Sequence, residues 1–260
     1  QMRKQFGDQL FIRGKYGMKP TARATEIAEQ LRYVLDDVDE LVNNNNAFSP
    51  KETNRKFSIG ITHTCSFLML NKIMQRFHRE APNARLEVRE CKVYQYDQSY
   101  CDQHGIDLLV GLRAKLPNTA SSEKIIELKQ VLLARKEHPI FDKKISFKQY
   151  IEQKHCLMDI TGYRKFNITD DAIAAKGHNR EISISTPYPR TLPDILVNSD
   201  LVAIAPERFL KRFKSKELKA VASPLKAKAI KLDQVWHSRY NADPGHQWLR
   251  KLIKKICDGV

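Results

Sequence analysis

The chain of 260 residues carries 45 Lys or Arg against 30 Asp or Glu, a formal net charge of +15, with 42% hydrophobic residues. That content supports one large domain or two modest ones; no apolar run reaches a membrane span and no basic-then-apolar signal peptide opens the chain, so a soluble cytoplasmic protein is expected, with no membrane partner. Five cysteines without a CxxC pair argue against a secreted disulfide framework and against a zinc finger, while the basic balance is the usual footprint of a polyanionic partner.

In chain order, the segment from Gln5 to Val42 is the most patterned. Phe6, Leu10, Phe11 and Ile12 are apolar, and Gly14 and Gly17 flank Lys15 and Tyr16 as turn residues. Pro20-Thr21 opens a helix, with Thr21 as its N-cap. Ala24, Leu31 and Val38 recur every seven residues, as do Ile27, Val34 and Leu41, with Ala28, Leu35 and Val42 widening the stripe. These are the a and d positions of consecutive heptads, which predict a helix–helix seam; the alternative is a core helix of its own domain. Asn43-Asn44-Asn45-Asn46 and then Ser49-Pro50 mark a polar linker and a domain boundary.

After the linker, strand and helix patterns alternate. Phe57, Ile59 and Ile61 predict a strand, Phe67 to Phe77 a helix ended by Ala81-Pro82, Leu86 and Val88 a second strand, a polar helical stretch around Tyr94 to Cys101, and Ile106 to Gly111 a buried strand. Leu128 to Arg135 reads as a strand leaving this lobe. A second set follows: strand Cys156 to Ile160, helix Asp170 to Lys176, strand Ile182 to Thr186, helix Leu192 to Asn198 and strand Leu201 to Ile204, before a final basic helix. The pattern is α/β with largely parallel sheets.

Phe6-Gly7-Asp8, Leu10-Phe11, Arg13, Gly17, Pro20-Thr21 and Ala24 together resemble the wing and linker helix of LysR-type transcriptional regulators. The remainder resembles that family's effector-binding domain: Gly105-Ile106-Asp107-Leu108, His138-Pro139, Leu201 to Pro206, and the ending Trp236-His237, Arg239, Asp243-Pro244, His246 and Trp248-Leu249-Arg250. The resemblance covers essentially the whole chain. It implies a two-lobed, periplasmic-binding-protein-like (type 2) α/β domain preceded by a long dimerisation helix and the remnant of a winged helix-turn-helix. The implied boundaries are 1–20 for the remnant, 21–46 for the linker helix and 55–260 for the effector-binding domain, with lobe one at 55–128 and 230–260 and lobe two at 129–229. Gln1 to Lys4 would match only the tail of a recognition helix, so operator-specific binding is not expected of the chain as given. The resemblance further implies promoter DNA and a second copy of the chain as partners, in a dimer or tetramer seamed by Ala24, Ile27, Leu31, Val34, Val38 and Leu41. Wing residues Arg13, Lys15 and Lys19 would contact DNA, which positions a protein rather than specifying sequence.

No catalytic motif appears: no GxSxG, HExxH or GxxxxGK[ST], and the eight histidines lack metal-ligand spacing. No enzyme activity, cofactor or metal is expected. His138 is read as structural, and His246 with Trp248 as docking the last helix. A binding site is more credible at the ends of strands, where helix N-termini present N–H groups. Thr62, His63, Thr64 and Cys65 follow the first strand, Arg113 follows another, and Thr161, Tyr163 and Arg164 follow the first strand of lobe two; the family places its effector pocket at such positions. The arginines would favour a small anionic effector through charge-assisted bonds. The contrary reading has Thr62 and Thr64 capping a helix and the arginines solvated. Cys65 at a helix N-terminus would have a depressed pKa and could sense oxidants, and Cys91 and Cys101 could pair, so a redox-sensing regulator is one alternative. A two-lobed solute-binding protein for transport is another. Residues 1–60 hold only +2 of the net charge, and the densest basic run, Arg208 to Lys231, is read as a solvated helix-and-loop face or an auxiliary contact to DNA.

Overall fold

The computed structural model describes residues 2–14, 17–28, 31, 35, 48–91, 97–112, 116–159, 168–213, 215–225 and 229–258. The chain forms two compact units, 1–47 and 48–260.

In the first unit, helix α1 (Met2–Phe6) leads to an antiparallel hairpin of β1 (Phe11–Gly14) and β2 (Gly17–Pro20), with Arg13 paired to Met18 and Ile12 to Lys19. The helical residues 22–28 form α2. Asp8 organises this corner. Its Oδ1 accepts from the Leu10 amide at 2.6 Å and from the Thr21 hydroxyl at 2.7 Å, and these bonds hold the carboxyl below its ordinary pKa. Thr21 Oγ1 in turn accepts from the Ala24 amide at 3.0 Å, the N-cap bond expected for Thr21. Leu10 sits at φ 59°, a left-handed conformation that a leucine adopts only when its surroundings impose it. The Phe-Gly-Asp motif thus ties the hairpin to the start of the helix. Ala24 is buried, whereas Leu31 is 44% and Leu35 54% exposed. Val34, Val38 and Leu41 lie outside the described residues.

The second unit holds two five-stranded sheets. The lobe-one sheet has the order β4 (Arg85–Glu90), β3 (Lys56–Ile61), β5 (Leu108–Leu112), β12 (Ile230–His237), β6 (Ala120–Leu128). β3 runs parallel to β4 and β5, and β12 is antiparallel to β5 and β6. β3 is followed by one helical run: α3 (His63–Cys65), a wide turn over Ser66–Leu70, and α4 (Asn71–Glu80). Ile73 and Phe77, four residues apart, bury one face of α4. Phe57, Phe77 and Trp248 meet with ring centroids 5.5–5.8 Å apart, which locks the last helix, α10 (Pro244–Asp258), onto the sheet. His246 Nε2 reaches the Asp107 carbonyl at 3.0 Å, and its ring stacks on Tyr240 at 4.9 Å.

The lobe-two sheet has the order β11 (Leu218–Ala222), β7 (Gln130–Arg135), β10 (Leu201–Pro206), β8 (Lys154–Met158), β9 (Glu181–Thr186). β10 is buried along its whole length, as its continuous run Leu-Val-Ala-Ile-Ala-Pro requires. His138 caps the turn Pro139–Phe141 by accepting from the Ile140 amide at 3.0 Å, with its other nitrogen 3.1 Å from the Asp200 carbonyl, a structural role. Beneath β8, Arg180 is held by Asp170 and by the Tyr150 hydroxyl, both within 2.8 Å. The chain passes between the sheets twice: β6 runs through Lys129 into β7, and β11 runs through residues 223–229 into β12.

Three segments depart from the sequence reading. Leu128 to Arg135 is not one strand but the junction of β6 and β7, because the polar first half of β6, Ala-Ser-Ser-Glu-Lys, is on the open edge of its sheet and shows no apolar alternation. β12 was not expected at all. The basic run is not one helix-and-loop face: it divides among α9 (Arg208–Phe213), the edge strand β11 and the start of β12, where Lys231 pairs in register with Glu127.

Candidate functional site

Thr62 ends β3 in extended conformation, with its amide bonded to the Val110 carbonyl of β5 at 3.2 Å. Its Oγ1 accepts from the Cys65 amide at 3.4 Å and its carbonyl from the Ser66 amide at 2.8 Å, so this side chain turns the strand into the helix. Gly111 permits the close approach, since a Cβ there would stand 2.9 Å from Thr62 Cγ2. Thr64 is buried, and its Oγ1 has no hydrogen-bond partner among the described residues. Cys65 is fully buried in the core of the lobe rather than in the cleft.

His63 is the member of this loop that reaches the space between the lobes. Its Nε2 lies 3.0 Å from Glu90 Oε1, and its ring meets the edge of Tyr188 of lobe two at 5.1 Å. Tyr188 follows β9 and is set by local bonds: its amide donates to Thr186 Oγ1 at 3.2 Å, and its carbonyl accepts from the Thr191 hydroxyl at 2.8 Å. The turn Pro189–Thr191 then leads into α8 (Leu192–Val197).

A pocket of about 320 Å³ opens here. His63, Ser66, Phe67, Leu70 and Asn71 of lobe one form one wall, and Tyr188, Pro189, Arg190 and Arg212 of lobe two form the other. The lobe-one wall is largely the wide turn Ser66–Leu70, a departure from α-helical winding of the kind that recurs at functional sites. Phe67 is its centre. Phe209 and Phe213 of α9 pack on the Phe67 ring at 5.1 and 5.7 Å, and the Arg190 and Arg212 guanidinium carbons lie 6.0 and 5.7 Å from its centroid. Among the described residues, no carboxylate lies within ion-pair distance of Arg190 or Arg212.

Of the sequence-derived effector residues, His63 lines this pocket, Thr62, Thr64 and Cys65 lie buried behind it, and Arg113, Thr161, Tyr163 and Arg164 lie outside the described residues. Phe67, Tyr188, Arg190 and Arg212 were missed. Tyr188-Pro189-Arg190 carried a signal, an aromatic and a proline after a strand; Arg212 carried none, being one cation in a basic run. In the hairpin, Arg13 and Lys19 are both exposed but project to opposite faces, since Arg13 pairs with Met18 and Lys19 with Ile12; Lys15 lies outside the described residues.

The cysteine expectations are overturned. Cys65, Cys91 and Cys101 are buried free thiols, so Cys91 and Cys101 are not paired. Burial disfavours the thiolate: it pushes Cys65 up to about 12 and Cys101 to about 11, and raises Cys91 as well. For Cys65, desolvation outweighs the bond to Thr62, so its position at a helix start does not activate it.

The family profile described as LysR substrate binding domain matches residues 50–258. Among similar curated proteins, the HTH-type transcriptional activator NagR of Ralstonia sp is 26% identical over 259 residues, covering 98% of this chain and 85% of the relative. The HTH-type transcriptional activator NahR of Pseudomonas putida is 24% identical over 258 residues, covering 97% and 84%. Among solved structures, full-length OxyR from Pseudomonas aeruginosa superposes with a TM-score of 0.70 at 13% identity, covering 98% of this chain and 86% of that one. The regulatory domain of MexT, a transcriptional activator in Pseudomonas aeruginosa, superposes with a TM-score of 0.68 at 22% identity, covering 78% and 98%. The two-lobed architecture is therefore that of LysR regulatory domains, and the relatives are named as regulators rather than as transport proteins. With a family match over most of its length and the hairpin-and-helix motif before it, this chain belongs to the LysR family of transcriptional regulators.

Proposed function

We propose that this regulator acts on promoter DNA as an oligomer whose arrangement a small effector controls. The observation that carries effector control is the pocket itself: its walls come from both lobes, so an occupant would touch His63 and Phe67 on one side and Tyr188 and Arg190 on the other. A ligand shifts a conformational equilibrium only by binding its two states differently, and contacts divided between two lobes supply that difference. Thr62, Thr64 and Cys65 shape the pocket from behind, and Arg113, Thr161, Tyr163 and Arg164 are kept as proposed effector contacts on the sequence reading alone. The proposed domains are a wing segment at 1–20, a linker helix at 21–46 and an effector-binding domain at 55–260, with lobe one at 55–128 and 230–260 and lobe two at 129–229. The exposed Leu31 and Leu35 support a seam with a second chain along Ala24, Ile27, Leu31, Val34, Val38 and Leu41. Arg13, Lys15 and Lys19 provide phosphate contacts. The relatives' roles as regulators, and the lack of a membrane-length apolar helix among the described residues, fit a cytoplasmic non-enzyme. Light scattering over a concentration range tests the assembly: a dimer or tetramer is expected, reduced to monomer by Leu31→Lys with Val38→Lys. A wild-type monomer at all concentrations would overturn it.

A further inference from the structure

We infer that the outer face of the helical layer α4, α10 and α9 is a second, sequence-independent contact for duplex DNA. The phosphate backbone would run along Arg79 of α4, Lys251 and Lys255 of α10, and Lys211 of α9. The inference goes beyond effector control and rests only on promoter DNA being the partner. Two observations carry it together. The first is where the charge lies. Residues 1–60, which include the hairpin, hold only +2 of the +15 net charge, so the excess lies beyond them. Within that excess, the three helices are almost free of acids. α10 carries Arg250, Lys251, Lys254 and Lys255 against Asp258 alone, α4 carries Lys72, Arg76 and Arg79 against Glu80 alone, and α9 carries Arg208, Lys211 and Arg212 against none.

The second observation is that packing joins these helices into one track. Trp248, near the start of α10, packs on Phe77 at 5.5 Å and donates to Glu80 Oε2 at 3.3 Å, near the end of α4. Cys257, near the end of α10, meets the Met69 sulfur at 3.7 Å, just before α4 begins. The two helices therefore lie side by side and antiparallel. At the far end, Arg208 of α9 donates to the Cys257 carbonyl at 3.5 Å. Arg79, Lys251, Lys255 and Lys211 are all exposed, and among the described residues no carboxylate lies within ion-pair distance of them. Glu80 is engaged by Arg76 at 2.6 Å and Glu123 by Lys254, so the neighbouring acids are already answered. A helix dipole favours Lys255 in the last turn, but Lys251 stands in mid-helix, and like charges four apart disfavour the helix. An anionic partner removes that cost. By its rise α10 is about 22 Å long, the length of about six base-pair steps. Lysine ammonium groups on flexible stems suit phosphates as point charges and carry no base readout.

The test is fluorescence anisotropy of the full 260-residue chain with a labelled duplex of random sequence, from about 50 to about 200 mM salt. Binding that weakens steeply with salt is expected. Lys251→Glu with Lys255→Glu should lower low-salt affinity by about tenfold or more and reduce the log–log salt slope by about 2, one for each lost phosphate contact. Circular dichroism and thermal midpoint should stay unchanged. Lys143→Glu with Lys148→Glu makes the same charge change at exposed residues beside another helix, and should have much less effect. Equal losses in the two variants would show that net charge alone matters and overturn the inference. So would no duplex binding by the unaltered chain in low salt, or binding of anionic phospholipid vesicles in place of duplex. Loss confined to Arg13→Glu with Lys19→Glu would leave the hairpin as the DNA contact, overturning the inference while preserving the promoter reading.

Discussion

The Arg55 guanidinium grips both carboxylate oxygens of Asp243, at 2.8 and 2.7 Å, across 188 residues of chain. Arg55 stands just before the first strand of lobe one and Asp243 just before its last helix, so one bidentate pair closes the lobe. Asp243 Oδ1 also accepts from the His246 amide at 2.9 Å, the N-cap bond of α10. Phe48 and Arg55 crowd the helix start, and a Cβ on Gly245 would stand 2.9 Å from Arg55 Nη1. Asp243→Ala removes both the ion pair and the cap. It should cost about 2–4 kcal/mol, from the usual worth of a charged hydrogen-bonded pair plus a cap, read as a lower urea midpoint with an unchanged m-value. Asp243→Asn, which keeps an acceptor for the cap, should cost less.

Gly111→Ala should disturb the pocket wall from behind. The added methyl meets Thr62 Cγ2 at 2.9 Å, and Thr62 sets the start of the helical run that carries His63 and Phe67. Overpacking of this kind typically costs about 1–3 kcal/mol. The expected signature is a lowered thermal midpoint together with weaker ligand binding in the pocket, recovered in part by Thr62→Ser, which removes the clashing methyl and keeps the cap oxygen.

The five thiols should behave as buried hydrophobes. All are buried, and burial pushes Cys156 and Cys101 up to about 11 and Cys65 to about 12. The thiolate is the reactive species. A disulfide reagent at pH 8 should therefore titrate these thiols slowly in the folded protein and rapidly in denaturant, and mild peroxide should leave all five reducible thiols intact. Rapid native-state modification of Cys65, Cys91 or Cys101 would restore the redox reading.

Acid should destabilise the second lobe through His155. The ring is fully buried, edge-on to Tyr150 at 4.7 Å; burial first, with the Arg180 charge acting in the same direction, pushes its pKa down to about 3. Asp170 on Arg180 is the acid of the same network. Because the folded value lies below the unfolded 6.5, the unfolded chain binds a proton that the folded one does not between pH 6.5 and about 3. Stability from this group is thus complete above pH 6.5 and falls as pH drops, by about 1.4 kcal/mol per unit. His246, also lowered by burial, acts in the same direction. Urea midpoints from pH 7 to 5 should fall less steeply for His155→Phe than for the unaltered protein.

Local patterns carried much of this molecule in the amino-acid sequence alone. The glycine-bearing hairpin, the Thr21 cap and the alternation of strand and helix depend on turn chemistry and periodicity within a few residues, and Phe-Gly-Asp with Pro-Thr was specific enough to indicate the family. His138 and His246 were legible as structural for the same reason: each sits in a short motif whose neighbours it bonds. Only the tertiary structure decided the rest. β12 finds its place between β5 and β6 by pairing with residues more than a hundred positions earlier, which no local period reveals. Cys65 lost its expected reactivity because burial, a property of the whole lobe, outweighs the helix start beneath it. The pocket assembles residues 63–71 with 188–190 and 212, and Arg212 in the basic run looked like its solvated neighbours until α9 laid it over Phe67. Periodicity reports which way a side chain faces, but which side chain it meets is set by how distant segments pack.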